Sequence, residues 1–172
     1  MENNRSKTQE LVLNSLFIAL TFVATMFINI RLPLMGQGGL IHLGNVPLFL
    51  AAFLLGKKSG AIAGGLGMAL FDVVSGWTAW APFTLIIVGT MGFVSGLVNE
   101  KLKLGTLARY TIAVILAIII KVVGYYFTEV ILYSNWIVPF GSIPGNIIQV
   151  GFAGIVTIPI AARLSKTKIG GR

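Results

Sequence analysis

The sequence predicts an all-α integral membrane protein, a single bundle of six transmembrane helices that forms one domain over residues 1–172. Hydrophobic residues make up 56% of the chain and charged residues only 10%, with a mean hydropathy of +0.90. A soluble domain of this length needs a much larger charged share to cover its surface. Six apolar segments are separated by polar connections. Lipid satisfies no backbone hydrogen bond and β-barrel alternation is absent, so the segments are predicted to be helices.

The predicted spans cover residues 11–30, 43–55, 60–75, 80–98, 107–133 and 143–164. The first has about the 20 residues that a hydrocarbon core of ~30 Å requires, whereas the second is short. Basic residues indicate the orientation. With the N-terminus in the cytoplasm, eleven of the thirteen Lys and Arg residues fall on the inner side, Arg31 falls outside and Lys121 lies within a span. This asymmetry predicts that both termini are cytoplasmic.

Several classes of function are disfavoured by composition. The chain has no cysteine, which excludes disulfides, thiolate metal sites and a cysteine nucleophile. The net charge of +8 is explained by membrane orientation, since no basic helix typical of nucleic-acid binding is present. A membrane-embedded enzyme needs a nucleophile–base pair or a metal set, and one histidine with two distant carboxylates offers little. We expect no catalytic residue, metal or cofactor. A small channel is disfavoured because polar residues are few along any single span.

Apart from Arg109 and Arg163, which lie at the inner ends of their spans, three charged residues lie within the predicted spans, where they are costly and by default indicate a functional site: Asp72, Lys121 and Glu129. Tyr125 lies four residues after Lys121 and four before Glu129, which places these three side chains on one helical stripe. One alternative is that Lys121 pairs with a carboxylate only to hold the bundle together. The other is a polar pocket, open to the outside, in which these groups orient a solute.

Further polar and aromatic residues are predicted at the same depth. They are His42, Asn45, Trp77, Trp80, Asn146 and Gln149. Simpler roles are open for most of them: Asn45 and Asn146 as helix N-caps, His42 as a hydrogen-bonded loop residue, and the tryptophans as an interfacial belt. Gln149 needs a partner, because an amide inside a span is costly. Together these residues predict one site, whose aromatic walls and polar groups suit a flat heteroaromatic solute.

Three segments resemble the substrate-binding S components of energy-coupling factor (ECF) vitamin transporters. They are GGLIHLGNVPLFLAAFLLGKKSGAIAGGLG, ALFDVVSGWTAWAPFTLIIVG and GSIPGNIIQ. The resemblance extends over residues 11–164. The IHLGN–P and WAPFT stretches are typical of the subgroup that includes S components for vitamin B6, hydroxymethylpyrimidine and riboflavin. Within that subgroup the chain is most similar to the pyridoxine and hydroxymethylpyrimidine type, with riboflavin or another vitamin as the alternative.

The resemblance implies a multi-pass protein of the bacterial plasma membrane that binds its vitamin on the outer side. It also implies partners: a membrane scaffold (T) subunit and two cytoplasmic ATPase subunits that drive uptake. In agreement, the chain has no G-x-x-x-x-G-K-[ST] loop for phosphate. The family docks through A-x-x-x-A on the first helix, where this chain has Ser15 and Ala19. Other small residues at four-residue spacing, Gly56/Gly60/Gly64 and Gly92/Gly96, predict close packing of helices.

Overall fold

The computed structural model describes residues 6–31 and 40–166. Six α-helices account for most of these residues. They are α1 (Lys7–Phe27), α2 (Asn45–Leu54), α3 (Lys57–Val74), α4 (Ala81–Lys101), α5 (Thr106–Tyr133) and α6 (Ile143–Leu164). A 3₁₀ helix, Val138–Ser142, precedes α6, and two short strands, β1 (Asn29–Arg31) and β2 (Leu40–His42), lie between α1 and α2.

Each predicted span corresponds to one of these helices, although the bounds differ for most of them. Helix α6 begins and ends at the predicted residues, and α5 begins one residue early. By length and apolar character, four described helical segments are able to cross a membrane alone: α1, α4, α5, and α6 with its preceding 3₁₀ helix. Helix α2 has only ten residues, and α3 carries three charges, on Lys57, Lys58 and Asp72.

The end of α1 departs from the prediction. The helix stops at Phe27 instead of continuing to Ile30, and the chain enters β1. Asn29 donates its side-chain amide to the carbonyls of Thr25 and Met26, which satisfies two of the free carbonyls at the helix end. Strand β1 then pairs antiparallel with β2, with Asn29 opposite His42. The described residues are therefore mostly helical, and this two-stranded pair is an element that the sequence analysis did not predict.

Helix α2 lies inside the protein. Eight of its ten residues are buried, and Leu48 and Phe49 are fully buried in the core beside Val88 and Met91. A helix that is hydrophobic all round is typical of a position within a bundle. Helix α2 is therefore enclosed by its neighbours.

Helices α3 and α4 pack closely through glycines. A Cβ atom added at Gly60 would lie 2.6 Å from Ala52 Cβ and 2.8 Å from the carbonyl oxygen of Gly92. A Cβ at Gly92 would likewise overlap the backbone of Gly60. The prediction of small-residue packing is confirmed here, because only residues without side chains allow two backbones this close.

The two ends of the bundle differ in how they are closed. At one end Lys57 Nζ forms an ion pair with Glu100 Oε2 at 3.1 Å. Beside it, Asn99 donates to the Phe53 carbonyl at 3.0 Å, and Arg109 donates to the Asn99 carbonyl at 2.9 Å. These bonds fasten α2, α3, α4 and α5 together. The opposite end, where α3 gives way to α4 and α5 to α6, contains a cavity.

Candidate functional site

The cavity has a volume of about 70 Å³. Nine of the ten residues that the sequence analysis placed in a binding site line it; Asn45 is the exception. The lining residues are Thr25, His42, Met68, Phe71, Asp72, Trp77, Trp80, Thr84, Lys121, Tyr125, Glu129, Asn146 and Gln149. Helices α1, α3, α4, α5 and α6, together with β2, thus converge on one space.

Lys121 is the most deeply buried charged residue of the cavity wall, with 2% of its surface exposed. Its ammonium nitrogen donates to Gln149 Oε1 at 2.7 Å and lies 5.5 Å from the centre of the Tyr125 ring. Asp72 interacts with it electrostatically, but neither Asp72 nor Glu129 forms a direct ion pair with Lys121 in the part of the chain that the structure describes. Lys121 therefore does not form the purely structural ion pair with a carboxylate that was one of the two alternatives for it.

An ammonium group has three N–H donors, and the described residues accept one hydrogen bond from Lys121. A buried charge is stable only when it is paired and hydrogen-bonded, since its loss of hydration is costly. Two N–H donors of Lys121 are therefore left for a group that enters the cavity.

Gln149 is the partner of Lys121 and is itself 3% exposed. Its Nε2 donates to the backbone carbonyl of His42 at 3.3 Å. The amide inside α6 therefore has the partners that its position requires, and it joins residues that are 28 and 107 positions away in the sequence.

His42 lies in β2 and lines the cavity, so it is both a hydrogen-bonded residue and part of the wall. Its Nδ1 accepts from the Gly44 amide at 3.2 Å. Burial holds the pKa of His42 well below its usual value of 6.5, and the nearby Lys121 ammonium lowers it further. The imidazole is therefore neutral at pH 7.

Two carboxylates complete the polar wall. Glu129 is buried on α5, and the Oδ2 atom of Asp72 is buried without a hydrogen-bond partner among the described residues. The hydroxyl groups of Thr84 and Tyr125 lie 3.0 Å apart beside them. One ammonium and two carboxylates in one small space can bind a solute that carries both hydrogen-bond acceptors and donors.

Aromatic rings form the other wall. The ring centre of Trp80 lies 6.1 Å from Trp77, 6.1 Å from Tyr125 and 6.0 Å from Tyr133. Trp77 and Trp80 are half-buried at the cavity, whereas Trp136 is 64% exposed and outside it. The interfacial-belt interpretation suits Trp136, and the other two tryptophans offer faces on which a planar ring can stack.

The helix-capping alternatives for Asn45 and Asn146 are wrong. Gly44 is the N-cap of α2 and Ser142 that of α6, and neither makes a side-chain capping bond. Gly44 has helical backbone angles (φ −57°, ψ −23°), so α2 starts without the extended residue that a capping side chain needs. Asn45 is fully buried and does not line the cavity, and neither of its amide atoms has a partner among the described residues.

Four lining residues were missed by the sequence analysis: Thr25, Met68, Phe71 and Thr84. Thr84 lies four residues after Trp80, so its place on the same helix face was available from spacing. Met68 and Phe71 are apolar residues of an apolar helix and carry no local signal.

Ser15 and Ala19, the predicted docking residues, lie exposed on α1. They border a second, largely apolar groove between α1 and α3, which also includes Ile18, Phe22, Leu70 and Val74. Within residues 6–31 and 40–166, no group of three His, Asp or Glu side chains is placed to hold a metal ion.

Comparison with known proteins gives a family match. The family model of the ECF-type riboflavin transporter S component matches residues 5–166. The thiamine precursor transporter HmpT of Lactococcus lactis subsp. cremoris is 28% identical over 169 residues, which cover 98% of this chain and 94% of that protein. An uncharacterized protein of Pyrococcus woesei is 35% identical over 112 residues, or 65% of this chain and 72% of that protein.

Solved structures of S components share the fold. An S component of a bacterial ECF transporter superposes with a TM-score of 0.74 at 23% identity, covering 93% of this chain and 97% of the other. The S component for biotin from an ECF-type ABC transporter gives a TM-score of 0.73 at 21% identity, covering 97% and 96%.

Proposed function

This chain belongs to the S-component family of ECF-type riboflavin transporters, and on that premise we propose that it binds a single-ring vitamin precursor, first of all hydroxymethylpyrimidine. Members of the family are integral membrane transport proteins and not enzymes. They bind small vitamins and work with a scaffold (T) subunit and ATPase subunits. Delivery of the solute inward, driven by two cytoplasmic ATPases, belongs to the proposal.

The incomplete hydrogen bonding of Lys121 is the observation that supports this proposal most. Its ammonium is buried in the cavity wall and donates to Gln149, while a buried oxygen of Asp72 has no partner among the described residues. A solute with an acceptor for Lys121 and a donor for Asp72 completes the hydrogen bonding of both side chains. An aminopyrimidine has this pattern, because its ring nitrogen accepts and its exocyclic amine donates.

The cavity volume supports a small solute. At about 70 Å³ it is well below the ~300–1,000 Å³ of pockets that hold drug-sized ligands. A substituted single ring requires modest outward movement of the wall, whereas the three fused rings of riboflavin require much more. In addition, the relative from Lactococcus lactis is named as a thiamine precursor transporter, and hydroxymethylpyrimidine is the pyrimidine half of thiamine. Pyridoxine, whose phenolic oxygen is a good acceptor for Lys121, is the second candidate.

A titration of the purified protein tests the choice of solute. Hydroxymethylpyrimidine, pyridoxine, riboflavin and thiamine are added in turn while tryptophan fluorescence is followed, because Trp77 and Trp80 line the cavity. We expect hydroxymethylpyrimidine to bind below the micromolar range and riboflavin to bind most weakly. If none of the four binds more tightly than about 1 μM, the proposal is wrong.

Replacement of Asp72 tests the role of the carboxylate. Because a hydrogen bond to a charged group contributes about 1.5–3 kcal/mol, Asp72→Asn should weaken hydroxymethylpyrimidine binding roughly 10- to 150-fold. Glu100→Gln makes the same chemical change at the far end of the bundle, where Glu100 pairs with Lys57, and should leave binding unchanged. Equal effects of the two variants would contradict the assignment.

We further propose that all six helices act as membrane spans with both termini in the cytoplasm, as the distribution of basic residues predicts. The chain has no cysteine, so single-cysteine variants report orientation directly. A membrane-impermeant maleimide added to intact cells should label Gly141→Cys, between α5 and α6, and not Lys103→Cys, between α4 and α5. The reverse pattern would overturn the orientation.

Docking to the scaffold subunit is proposed at the α1 groove that Ser15 and Ala19 border. Small exposed residues allow a partner helix to approach closely. Ala19→Leu should fill the groove and reduce co-purification of the scaffold subunit, while solute binding persists. Ala108→Leu, at another exposed alanine on α5, is the matched control, and an equal loss in both variants would argue against this groove.

A further inference from the structure

The Gln149 side chain connects the charged wall of the cavity to the two-stranded pair. One of its polar atoms, Oε1, accepts from Lys121 at 2.7 Å, and the other, Nε2, donates to the His42 carbonyl at 3.3 Å. With only 3% of its surface exposed, Gln149 has little access to water that would replace either bond. Its two bonds link α5, α6 and β2 through one side chain.

The two-stranded pair depends on such links. It consists of three residue pairs, followed by a bond of 3.1 Å from the Leu43 amide to the Ile28 carbonyl. An isolated two-stranded pair is marginally stable at best, so its position is set by what it packs against. His42, in β2, lines the cavity and receives the bond from Gln149.

We infer that Gln149 is a positioning residue that couples solute binding at Lys121 to the stability of the two-stranded pair. A solute acceptor that binds the Lys121 ammonium restrains it, and with it the Gln149 oxygen. The amide is planar, so restraint of Oε1 also keeps Nε2 directed at the His42 carbonyl. Strand β2 therefore opens less often when the solute is present. This coupling rests on the proposed function, because it requires a solute at Lys121.

Gln149→Met tests the ligand-free half of this inference, since methionine is of similar size and makes neither hydrogen bond. Amide hydrogen exchange of residues 28–31 and 40–44 is measured in the purified protein without solute. We expect exchange there to be about five- to tenfold faster in the variant, the effect of losing one net hydrogen bond. Thr157→Val, also on α6 and fully buried with no partner for its hydroxyl among the described residues, should leave exchange unchanged.

Gln149→Glu separates the two bonds. The carboxylate still accepts from Lys121 but cannot donate to the His42 carbonyl. Exchange in the two-stranded pair should therefore be as fast as in Gln149→Met. Exchange at the wild-type rate in both variants would overturn the inference, and the glutamate variant keeps the test decisive if the methionine variant fails to fold.

The coupling itself is measured with hydroxymethylpyrimidine. At saturating solute, exchange of residues 40–44 should slow several-fold in the wild type, and this change should be absent in Gln149→Met even at concentrations that saturate the weakened site. An equal slowing in both proteins would show that solute protects the strands without Gln149. If the wild type binds no solute, the proposed function fails, while the ligand-free comparison still decides whether Gln149 anchors β2.

Discussion

Replacement of Lys121 by methionine separates a solute-binding role from a structural one, because the two roles change stability in opposite directions. Loss of the bond to Gln149 leaves a buried amide oxygen unpaired, at a cost of about 1–3 kcal/mol. Loss of the ammonium removes a desolvation penalty of several kcal/mol. We therefore expect the free energy of unfolding of Lys121→Met to be unchanged or higher without solute.

Solute binding should respond differently. On the proposed function, Lys121 donates a charge-assisted hydrogen bond to the solute, and such a bond contributes about 1.5–3 kcal/mol. Its loss should therefore raise the Kd for hydroxymethylpyrimidine, the proposed solute, roughly 10- to 150-fold. Fluorescence titration provides the Kd, and thermal unfolding in detergent, with and without solute, provides the stability.

Lys57→Met is the control for the loss of a lysine charge. Its ion pair with Glu100 is partly exposed, at 30% and 24%, and such pairs contribute at most about 1 kcal/mol. It should leave the Kd unchanged. The reasoning is refuted if Lys121→Met loses the 3–5 kcal/mol expected when a buried ion pair is broken while its folded fraction binds solute as before.

Two further variants, at Gly44 and His42, test the wall formed by β2 and its neighbours. Gly44→Ala places a Cβ against Thr25 Oγ1 and within 3.0 Å of His42 Nδ1, so overpacking should cost about 1–3 kcal/mol in thermal unfolding and weaken binding. The control is Gly151→Ala, where a Cβ meets nothing within 4 Å, and it should instead stabilise α6 by roughly 0.5–1 kcal/mol. A loss of stability in both glycine variants would contradict the packing argument. The pKa of His42 is lowered on folding, so as the pH falls the unfolded state takes up a proton on His42 before the folded state does. The free energy of unfolding should therefore decrease below about pH 6.5, by up to about 1.4 kcal/mol per pH unit. His42→Asn keeps an acceptor for the Gly44 amide and should remove this part of the pH dependence; identical profiles for both proteins would show that His42 does not titrate on unfolding.

Local patterns in the sequence predicted the helices and much of the cavity wall. An apolar run in lipid has few choices besides a helix, so α5 and α6 begin and end within one residue of their predicted bounds. The stripe of Lys121, Tyr125 and Glu129 followed from helical periodicity, and all three residues line the cavity. These features depend on residues close in the chain, which is why they could be predicted from the sequence.

Features that depend on residues far apart in the chain could not be predicted from local patterns. The strands β1 and β2 form because Asn29 ends α1 and two short segments meet, and three-residue strands have too little periodicity to be predicted. Asn45 was predicted to be in the site because it is close to His42 in the sequence, but it is the first residue of α2, is fully buried and does not line the cavity.

The sequence by itself determined that this chain is a bundle of apolar helices with a few ionisable side chains, because hydrocarbon requires internal backbone hydrogen bonds and makes each charge costly. Only the tertiary structure decided which partner each buried polar group has. Lys121 bonds to an amide on α6 instead of a carboxylate, and that amide holds a strand 107 residues earlier in the chain. Such pairings follow from how helices pack in three dimensions, where residues far apart in sequence become neighbours.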